Sequence, residues 1–358
     1  MAFSRTLALL AAVSTLVAAC GHDAARPPAS TTTSKPVAAP PAPPVCGDPT
    51  AKLSNRDKLA QLLMVGVKNA DDARAVVNGY HVGGIFIGSW TDLGIFSGPL
   101  ADIAGNAGPL PLAVSVDEEG GRVSRLKSLI GTAPSPKELA RTQTTDEVRA
   151  QAAERGKKMH DLGITVDFAP VVDVTDEPDD SVIGDRSFGD NPKTVTEYAG
   201  AYAQGLRDAG VLPVLKHFPG HGHGSGDSHK GGVVTPPLPE LINDDLVPYR
   251  TLVTNAPVAV MIGHLQVPYG GPPFNGPVFS DDLSSMAAIS DRYGVAEAVL
   301  RTLQAGTDIA LWVTTDEVPA VLDRLEKALA AGELALPAVD QSLLRVATMK
   351  GPGRACEH

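Results

Sequence analysis

The sequence lacks any cluster of basic residues. Its 30 lysine and arginine residues are outnumbered by 41 aspartate and glutamate residues, and the formal net charge is −11. Because nucleic-acid binding depends on patches of Lys and Arg that neutralise phosphates, no nucleic-acid partner is expected. An acidic surface of this kind favours solubility and indicates no particular partner.

Glycine-rich phosphate-binding motifs are also absent from the sequence. It contains neither a G-x-G-x-x-G turn nor a Walker loop, so nothing supports a dinucleotide- or nucleotide-binding open sheet. A doubly wound open sheet is therefore only the second choice of fold, and no cofactor is expected.

Cysteine is scarce, and the first of the three cysteines, Cys20, ends a distinctive N-terminal segment, MAFSRTLALLAAVSTLVAAC. A basic residue precedes an apolar run that is too short to span a bilayer, which is typical of a secretory signal. The ending Val17-Ala18-Ala19-Cys20 resembles a bacterial lipobox. That resemblance implies a signal peptide over residues 1–19, lipidation of Cys20, and an exported protein anchored in the lipid bilayer on the extracytoplasmic face of the cell membrane. A plain signal peptide is the alternative.

The next segment, residues 20–49, predicts a tether. Its stretch ARPPASTTTSKPVAAPPAPPV is rich in Pro, Ala, Ser and Thr and has too little apolar surface to fold. The other two cysteines, Cys46 and Cys356, bracket the folded region. An oxidising compartment permits a disulfide between them, and the first and last elements of a closed barrel are neighbours. Two unpaired thiols are the alternative.

Short apolar runs alternate with amphipathic segments from residue 50 to residue 350, followed by a tail over residues 351–358. Most of the runs are continuously hydrophobic, which is typical of parallel strands buried on both faces. Three helical patterns between them end in Gly, a residue that tolerates the left-handed helix cap. We therefore predict an α/β fold, a (β/α)8 TIM-type barrel. The eight candidate strands are LLMVGV, VGGIFIG, LPLAVSVD, TVDFAPVVDV, LPVLKHF, PVAVMIGHL, GPVFSDD and DIALWV.

The sixth unit of this barrel is predicted to be incomplete. Only eight residues, Pro268 to Asn275, separate the sixth strand region from the seventh. A parallel crossover normally needs a dozen or more residues and a helix. One flank of the barrel is then uncovered, or a tight link reaches the seventh strand. Asp281 follows the seventh strand directly, and a displacement of a catalytic group by about 1 Å lowers the rate roughly 100-fold.

Polar residues follow the predicted strands at the ends where barrel enzymes place their active groups. Any one of the aspartates can be explained as a helix cap, but that explanation is weak for all of them together. Asp173 is interpreted as structural, and His264 either satisfies a strand-end hydrogen bond or lines the pocket. The strand-end residues are Asp117, Asp173, Lys216, His217, His264, Asp281 and Asp282.

The stretch KHFPGHGHGSGDSH, residues 216–229, gathers titratable groups on a glycine-rich loop. Three interpretations compete: a metal site, a catalytic loop, or a solvated surface loop. The metal interpretation is weakest, because glycines preorganise a site poorly and no helix sets the ligand spacing, so no metal is expected. The histidines are His217, His221, His223 and His229, and the glycines Gly220, Gly222, Gly224 and Gly226 are expected to permit unusual backbone angles and loop closure.

This loop, together with VDEEGGRVSR, DRSFG and VFSDDLSSM, resembles glycoside hydrolase family 3 over roughly residues 55–350. The likeness is greatest to single-domain exo-β-N-acetylglucosaminidases that act on peptidoglycan fragments. It implies a retaining mechanism in which Asp281 is the nucleophile, His229 the acid/base and Asp227 the residue that orients the imidazole. Histidine suits that role because its pKa is ordinarily about 6.5. The positions matching sugar-binding residues are Asp117, Arg125, Arg186, Lys216 and His217.

The resemblance has two departures and leaves alternatives open. The family has a helix in the sixth crossover and usually an acidic residue where His223 stands. The implied partner is an N-acetylglucosamine-containing saccharide or muropeptide. Because a neutral histidine carries no charge that repels an anion, one alternative is a phosphorylase that uses phosphate in place of water as the acceptor. The other alternative is a sugar-binding lipoprotein whose active site is catalytically weakened. Arg125 and Arg186 can instead pair with acids for purely structural reasons.

Overall fold

The computed structural model describes residues 50–255, 257–267 and 276–351. The predicted signal peptide and tether, the tail beyond residue 351 and the sixth crossover segment 268–275 lie outside these ranges. Cys20, Cys46 and Cys356 also lie outside them, so the lipidation and disulfide predictions stay predictions.

Eight strands form one parallel sheet, and each lies within one of the eight predicted apolar runs. The strands are short, and their residues are mostly buried on both faces, as expected for a sheet covered by helices. In chain order they are β1 Leu63–Gly66, β2 Gly84–Ile87, β3 Ala113–Val116, β4 Val166–Asp167, β5 Leu212–Phe218, β6 Ala259–Ile262, β7 Val278–Ser280 and β8 Ala310–Trp312.

The sheet curls into a nearly closed barrel. Each strand pairs with its neighbours in sequence, and β8 pairs with β1 in the register Leu63 to Ala310. Between β7 and β8 the connection is a single parallel bridge, from Phe279 to Ile309. The (β/α)8 prediction is therefore confirmed, and the open-sheet alternative is wrong.

Helices surround the strands. The three helical patterns that the sequence predicted form the helices Thr145–Asp161, Pro192–Asp208 and Val295–Gln304. Each helix is followed within two residues by a glycine at positive φ, namely Gly163, Gly210 and Gly306. The described helices are α1 Asn55–Ala60, α2 Ala70–Tyr80, α3 Pro99–Gly105, α4 Lys127–Ile130, α5 Pro136–Thr142, α6 Thr145–Asp161, α7 Pro192–Asp208, α8 Leu238–Asn243, α9 Leu246–Asn255, α10 Ala287–Ser290, α11 Val295–Gln304, α12 Val318–Ala331 and α13 Leu336–Lys350.

The sixth crossover does not displace the seventh strand. Strand β7 pairs in parallel with β6 over three residues, from Val278 opposite Val260 to Ser280 opposite Ile262. No helix occurs among residues 263–267 and 276–277, which are the described parts of this connection. Ile262, at the end of β6, is 37% exposed. The parallel pairing carries Asp281 to the same end of the barrel as the other strand-end groups.

Aromatic rings fill the barrel interior below that end. Phe168 contacts Phe86 at 5.7 Å and Phe279 at 5.5 Å between ring centroids. Trp312 is fully buried on β8. In the described part of the chain, none of the helices has the length and apolar character needed to cross a membrane.

Candidate active site

A cavity of about 430 Å³ opens at the carboxyl ends of the strands. The barrel brings together there seven of the eight side chains predicted to act in catalysis or sugar binding. The eighth, Asp227, does not line the cavity but bonds to a residue that does. The seven are Asp117, Arg125, Arg186, Lys216, His217, His229 and Asp281.

The segment after β3 supplies two acids to the cavity and one to the barrel wall. Asp117 and Glu119 line the cavity. Glu118, between them, is fully buried; it accepts from Arg155 at 2.5 Å and from the backbone N–H of Arg125 at 2.8 Å. The alternation places Asp117 and Glu119 on one face, because successive residues of an extended chain point to opposite sides.

Glu119 is a site residue that the sequence analysis missed. Its carboxylate accepts two parallel hydrogen bonds from Arg186, both at 2.8 Å, and pairs with Lys216 Nζ at 2.6 Å. Burial opposes its ionisation, but these two cations outweigh burial and hold the pKa of Glu119 well below its usual range. The spacing of two residues from Asp117 is the signal that could have revealed it.

Lys216 bridges the two acids. Its Nζ lies 2.6 Å from Asp117 Oδ1 as well as from Glu119, and its side chain is 3% exposed. Burial opposes the charge, but the two carboxylates outweigh it and raise the pKa of Lys216. The ammonium is therefore a fixed positive charge in the cavity wall.

Arg125 has few partners compared with the rest of this wall. Its nearest ion pair, to Asp117, spans 3.8 Å, and its buried Nε has no hydrogen-bond partner. Arg186 instead bonds Glu119 in a bidentate manner and the carbonyl oxygen of Val182. Arg125 lines the cavity and has at least one unused donor, its Nε, whereas most of the donors of Arg186 are already used.

His217 is held by Asp173 below it. The ring Nδ1 lies 2.7 Å from Asp173 Oδ2, and the same carboxylate accepts the backbone N–H of His217 and of His221. Burial opposes ionisation of Asp173, but His217 outweighs it and lowers the pKa of the carboxyl. Asp173 thus fixes the orientation of the imidazole ring of His217, which also lines the cavity.

Asp281 follows β7, and its side chain lines the cavity. Its Oδ1 accepts the backbone N–H of Asp282 at 2.8 Å. Burial opposes its ionisation, but the positive potential from His217 and His264 outweighs burial and lowers the pKa of Asp281. His264 itself bonds the carbonyl oxygen of Asp282 at 2.7 Å and is not among the residues that line the cavity.

His229 and Asp227 form a pair on the glycine-rich loop. His229 Nδ1 lies 2.8 Å from Asp227 Oδ1, which also accepts the backbone N–H of His229 at 3.0 Å. Burial opposes ionisation of Asp227, but these contacts outweigh it and lower its pKa. The His229 side chain is 59% exposed. With Nδ1 bound to a carboxylate, Nε2 is the nitrogen left to exchange a proton.

The loop glycines serve two different purposes. The expectation of unusual backbone angles holds at Gly220, with φ +135°, and is wrong for Gly222, Gly224 and Gly226. A Cβ at Gly222 would lie 1.9 Å from the carbonyl oxygen of Val174, and one at Gly224 would lie 2.7 Å from a side-chain atom. A Cβ at Gly226 meets no atom within 4 Å. The base of the loop is therefore tightly packed, and closure is a prediction for its tip alone.

The four loop histidines do not converge on one point. Those other than His217 lie beside different partners: His221 beside Ser228, His223 beside Asp245, and His229 beside Asp227. Within the described ranges, the only grouping of ligand-type side chains close enough for one ion is His223, Asp244 and Asp245, within 4.8 Å of one another. The metal interpretation built on the four histidines is therefore not favoured by the geometry.

A barrel mouth that combines a strand-tip carboxylate, a carboxylate–histidine pair and a wall of buried charges defines a glycoside hydrolase type of site. Residues 54–273 and 270–349 match the family described as the glycosyl hydrolase family 3 N terminal domain. The chain belongs to this family, and the resemblance drawn from its motifs is confirmed. The two matched segments meet at residues 270–273, inside the short sixth crossover.

Relatives support this membership over nearly the whole chain. The chain is 67% identical to "Beta-hexosaminidase LpqI" of Mycobacterium tuberculosis (strain ATCC 25618 / H37Rv) over an alignment of 386 residues, covering 99% of this chain and 100% of the relative. A solved family member from Mycobacterium smegmatis is 68% identical, with a TM-score of 0.84 over 86% of this chain and 100% of that one. The structure of M. tuberculosis LpqI is 70% identical, with a TM-score of 0.85 over 87% and 98%.

Proposed function

We propose that the protein is a retaining exo-β-N-acetylglucosaminidase that removes terminal N-acetylglucosamine from peptidoglycan fragments. Its relative of 67% identity over the full length, which is named a beta-hexosaminidase, supports the sugar class. The lipobox resemblance at Cys20 supports an exported enzyme anchored on the outer face of the cell membrane, where cell-wall fragments are within reach.

One observation carries the catalytic part of this proposal. Asp281 and His229 line one cavity although they come from segments about 50 residues apart in sequence. A retaining glycosidase needs a nucleophile on one side of the anomeric carbon and a proton donor near the leaving oxygen. Of the histidines that line the cavity among the described residues, His217 and His221 are buried, and only His229 is exposed.

The reaction proceeds in two displacements. Asp281 attacks the anomeric carbon while His229 Nε2 gives its proton to the departing glycosidic oxygen, which leaves a glycosyl-enzyme ester. His229 then takes a proton from water, and the water oxygen attacks the anomeric carbon and releases Asp281. Asp227 stabilises the imidazolium that the second step forms. Because the pKa of Asp281 is lowered, the nucleophile stays ionised throughout the neutral range.

The buried charges fit the terminal sugar. Asp117, Lys216 and Arg125 present acceptors and donors at the cavity wall, and sugar hydroxyls and an acetamido group can satisfy both kinds. These groups favour a sugar that pairs with all of them, because a sugar that lacks one hydroxyl leaves a buried polar atom of the protein unpaired.

A chromogenic N-acetylglucosaminide tests the proposal. Asp281→Ala is expected to lower the release of the aglycone by about 1000-fold or more, with the fold intact by circular dichroism. Asp71→Ala is the matched control, since this side chain is 95% exposed and does not line the cavity. Equal background release by the wild type and Asp281→Ala would instead favour a sugar-binding lipoprotein.

Two further arms separate the alternatives. Turnover that rises with added phosphate and yields a sugar phosphate would identify a phosphorylase, whereas unchanged turnover supports water as acceptor. Comparable rates on a β-glucoside would contradict the N-acetyl preference. Labelling of the cells with an alkyne fatty acid tests the anchor, because Cys20→Ser is expected to abolish incorporation.

A further inference from the structure

Trp90 is an unexplained feature of the cavity. It is 45% exposed, and it alone lines the cavity among the large hydrophobic side chains that are exposed in the described chain. Exposed apolar side chains scattered singly over a surface are ordinary. A half-exposed tryptophan held at the mouth of a cavity that also contains buried charges is a candidate ligand contact.

The indole of Trp90 is held in place from beneath. A Cβ at Gly88 would lie 2.4 Å from the ring, and one at Gly66 would lie 2.9 Å from it, so the ring packs directly over two backbones without side chains. Phe86 contacts the ring edge-on, with centroids 5.9 Å apart and planes at 63°. The ring is therefore braced on the protein side, and its exposed surface is a rigid apolar platform.

The cavity lining contains a group of buried charges at its closed end and a group of apolar side chains around Trp90. Charged groups with little exposure, such as Glu119 and Lys216, come from β3 and β5. The apolar side comes from β2, β8 and the segment after β7 and includes Trp90, Val313 and Met286. Gly66, at the end of β1, lies against both Trp90 and Val313, so these two apolar groups are neighbours across β1.

The exposures of the two ends assign them to different parts of a substrate. An exo-acting enzyme holds the terminal sugar in the closed end and leaves the departing group towards solvent. Glu119 and Lys216 are 1% and 3% exposed, which suits the sugar that is buried. Trp90 is far more exposed, which suits the group that leaves.

We propose that Trp90 is the platform of an aglycone subsite, on which a pyranose ring in the leaving-group position lies with its apolar C–H face. This inference rests on the proposed glycosidase function and adds the leaving group's class to it. A flat aromatic ring offers a large contact area with little loss of conformational freedom. Contact with the leaving group that persists in the transition state raises turnover of the extended substrate.

Two substrates of the same terminal sugar test the proposal. One is the N-acetylglucosamine disaccharide, and the other is N-acetylglucosaminyl fluoride, whose leaving group is too small to reach a platform. Trp90→Ala is expected to lower kcat/KM for the disaccharide at least tenfold more than for the fluoride. Trp90→Phe, which keeps an aromatic face, is expected to recover most of the difference. Leu344→Ala, on a side chain that is 49% exposed on α13, is the surface control.

Intrinsic fluorescence gives a readout that does not depend on turnover. The chain has two tryptophans, and Trp312 is fully buried, so iodide quenches chiefly Trp90. A sulfur-linked disaccharide, which glycosidases do not cleave, is expected to protect Trp90 from iodide. Saturating N-acetylglucosamine, which fills the closed end alone, is expected to protect it much less.

Several results would overturn the inference. Equal protection by the monosaccharide and the disaccharide, or equal losses on both substrates in Trp90→Ala, would place Trp90 against the terminal sugar. No protection by either sugar, with both saturating by calorimetry, would remove Trp90 from the site. Failure of the wild type to turn over either substrate would contradict the proposed function instead. The quenching experiment would still decide whether Trp90 contacts the second sugar ring of the disaccharide.

Discussion

Two arginines of the cavity differ in how much of their hydrogen-bonding capacity is already used. Arg186 is 12% exposed and clamps Glu119 with two bonds, whereas Arg125 has an ion pair at 3.8 Å and an unpartnered Nε. Sequence motifs assigned both to sugar binding. The contacts indicate that Arg125 is the stronger candidate to touch substrate and that Arg186 chiefly positions Glu119.

Replacing each arginine is expected to separate these roles. Arg125→Ala is expected to raise KM for a chromogenic substrate about tenfold or more while changing the free energy of unfolding by less than about 0.5 kcal/mol. Arg186→Ala is expected to cost about 3 kcal/mol of stability, because it removes a partner of a buried carboxylate. Urea denaturation and steady-state kinetics measure both effects. A stability loss in Arg125→Ala equal to that in Arg186→Ala would contradict the distinction.

The lowered pKa values of Asp281 and Asp227 exclude both carboxylates as the source of an acid limb of turnover above pH 5. Because the pKa values of Asp281 and Asp227 are both lowered, neither carboxylate takes up a proton until the pH falls below the ordinary value of about 3.9. If kcat/KM of the wild type falls with decreasing pH above pH 5, the same fall is therefore expected in Asp227→Asn, although kcat/KM is lower at every pH. Loss of the limb in that variant would assign it to Asp227.

At the scale of one element, the glycine-rich loop of residues 216–229 combines a packed base and an open tip. Gly222 sits against the carbonyl oxygen of Val174, and Ser228 is 2% exposed, with its carbonyl accepting the backbone N–H of Ala288. The motif predicted a pliable segment throughout. Because Gly222 and Gly224 have no room for a side chain, pliability stays a prediction for the stretch around Gly226 alone.

Alanine at two loop glycines tests this division. Gly222→Ala is expected to lower activity at least tenfold and to reduce the melting temperature, because its Cβ would overlap the carbonyl of Val174. Gly226→Ala is the matched control: its Cβ meets open space and its φ is not positive. Near-normal activity in Gly222→Ala would show that the loop base moves freely.

At the scale of the whole molecule, the last helix closes the amino-terminal end of the barrel. Lys350, at the end of α13, donates to the carbonyl oxygen of Gly83 at 2.6 Å and to Gln61 Oε1 at 2.9 Å. These acceptors lie just before β2 and β1. One side chain near the end of the described chain therefore ties together the beginning of the sheet.

This contact predicts how stability changes with pH. Burial lowers the pKa of Lys350 from 10.5 to about 7. The unfolded chain therefore binds more protons than the folded one between these values, and stability rises with pH. Linkage gives an increase of about 2 kcal/mol between pH 7 and pH 9 from this group. Lys350→Met is expected to remove that part of the rise in chemical denaturation, and an unchanged rise would contradict it.

Much of this architecture is predictable from the order of residues along the chain. Continuous apolar runs identified all eight strands, and helix-ending glycines marked three of the helices. The motifs that resemble the family located seven residues of one cavity. These features are local or repeat with a regular period, so a single sequence carries them.

The contacts across the barrel were decided by folding alone. Glu119 joined the charged wall because β3, β4 and β5 are neighbours in space, and packing left the Nε of Arg125 without a partner. Trp90 gained its braced position from glycines on two strands. Local pattern shows which residues are polar, apolar or flexible; only packing shows which of them meet and how many of their hydrogen bonds are left for a substrate.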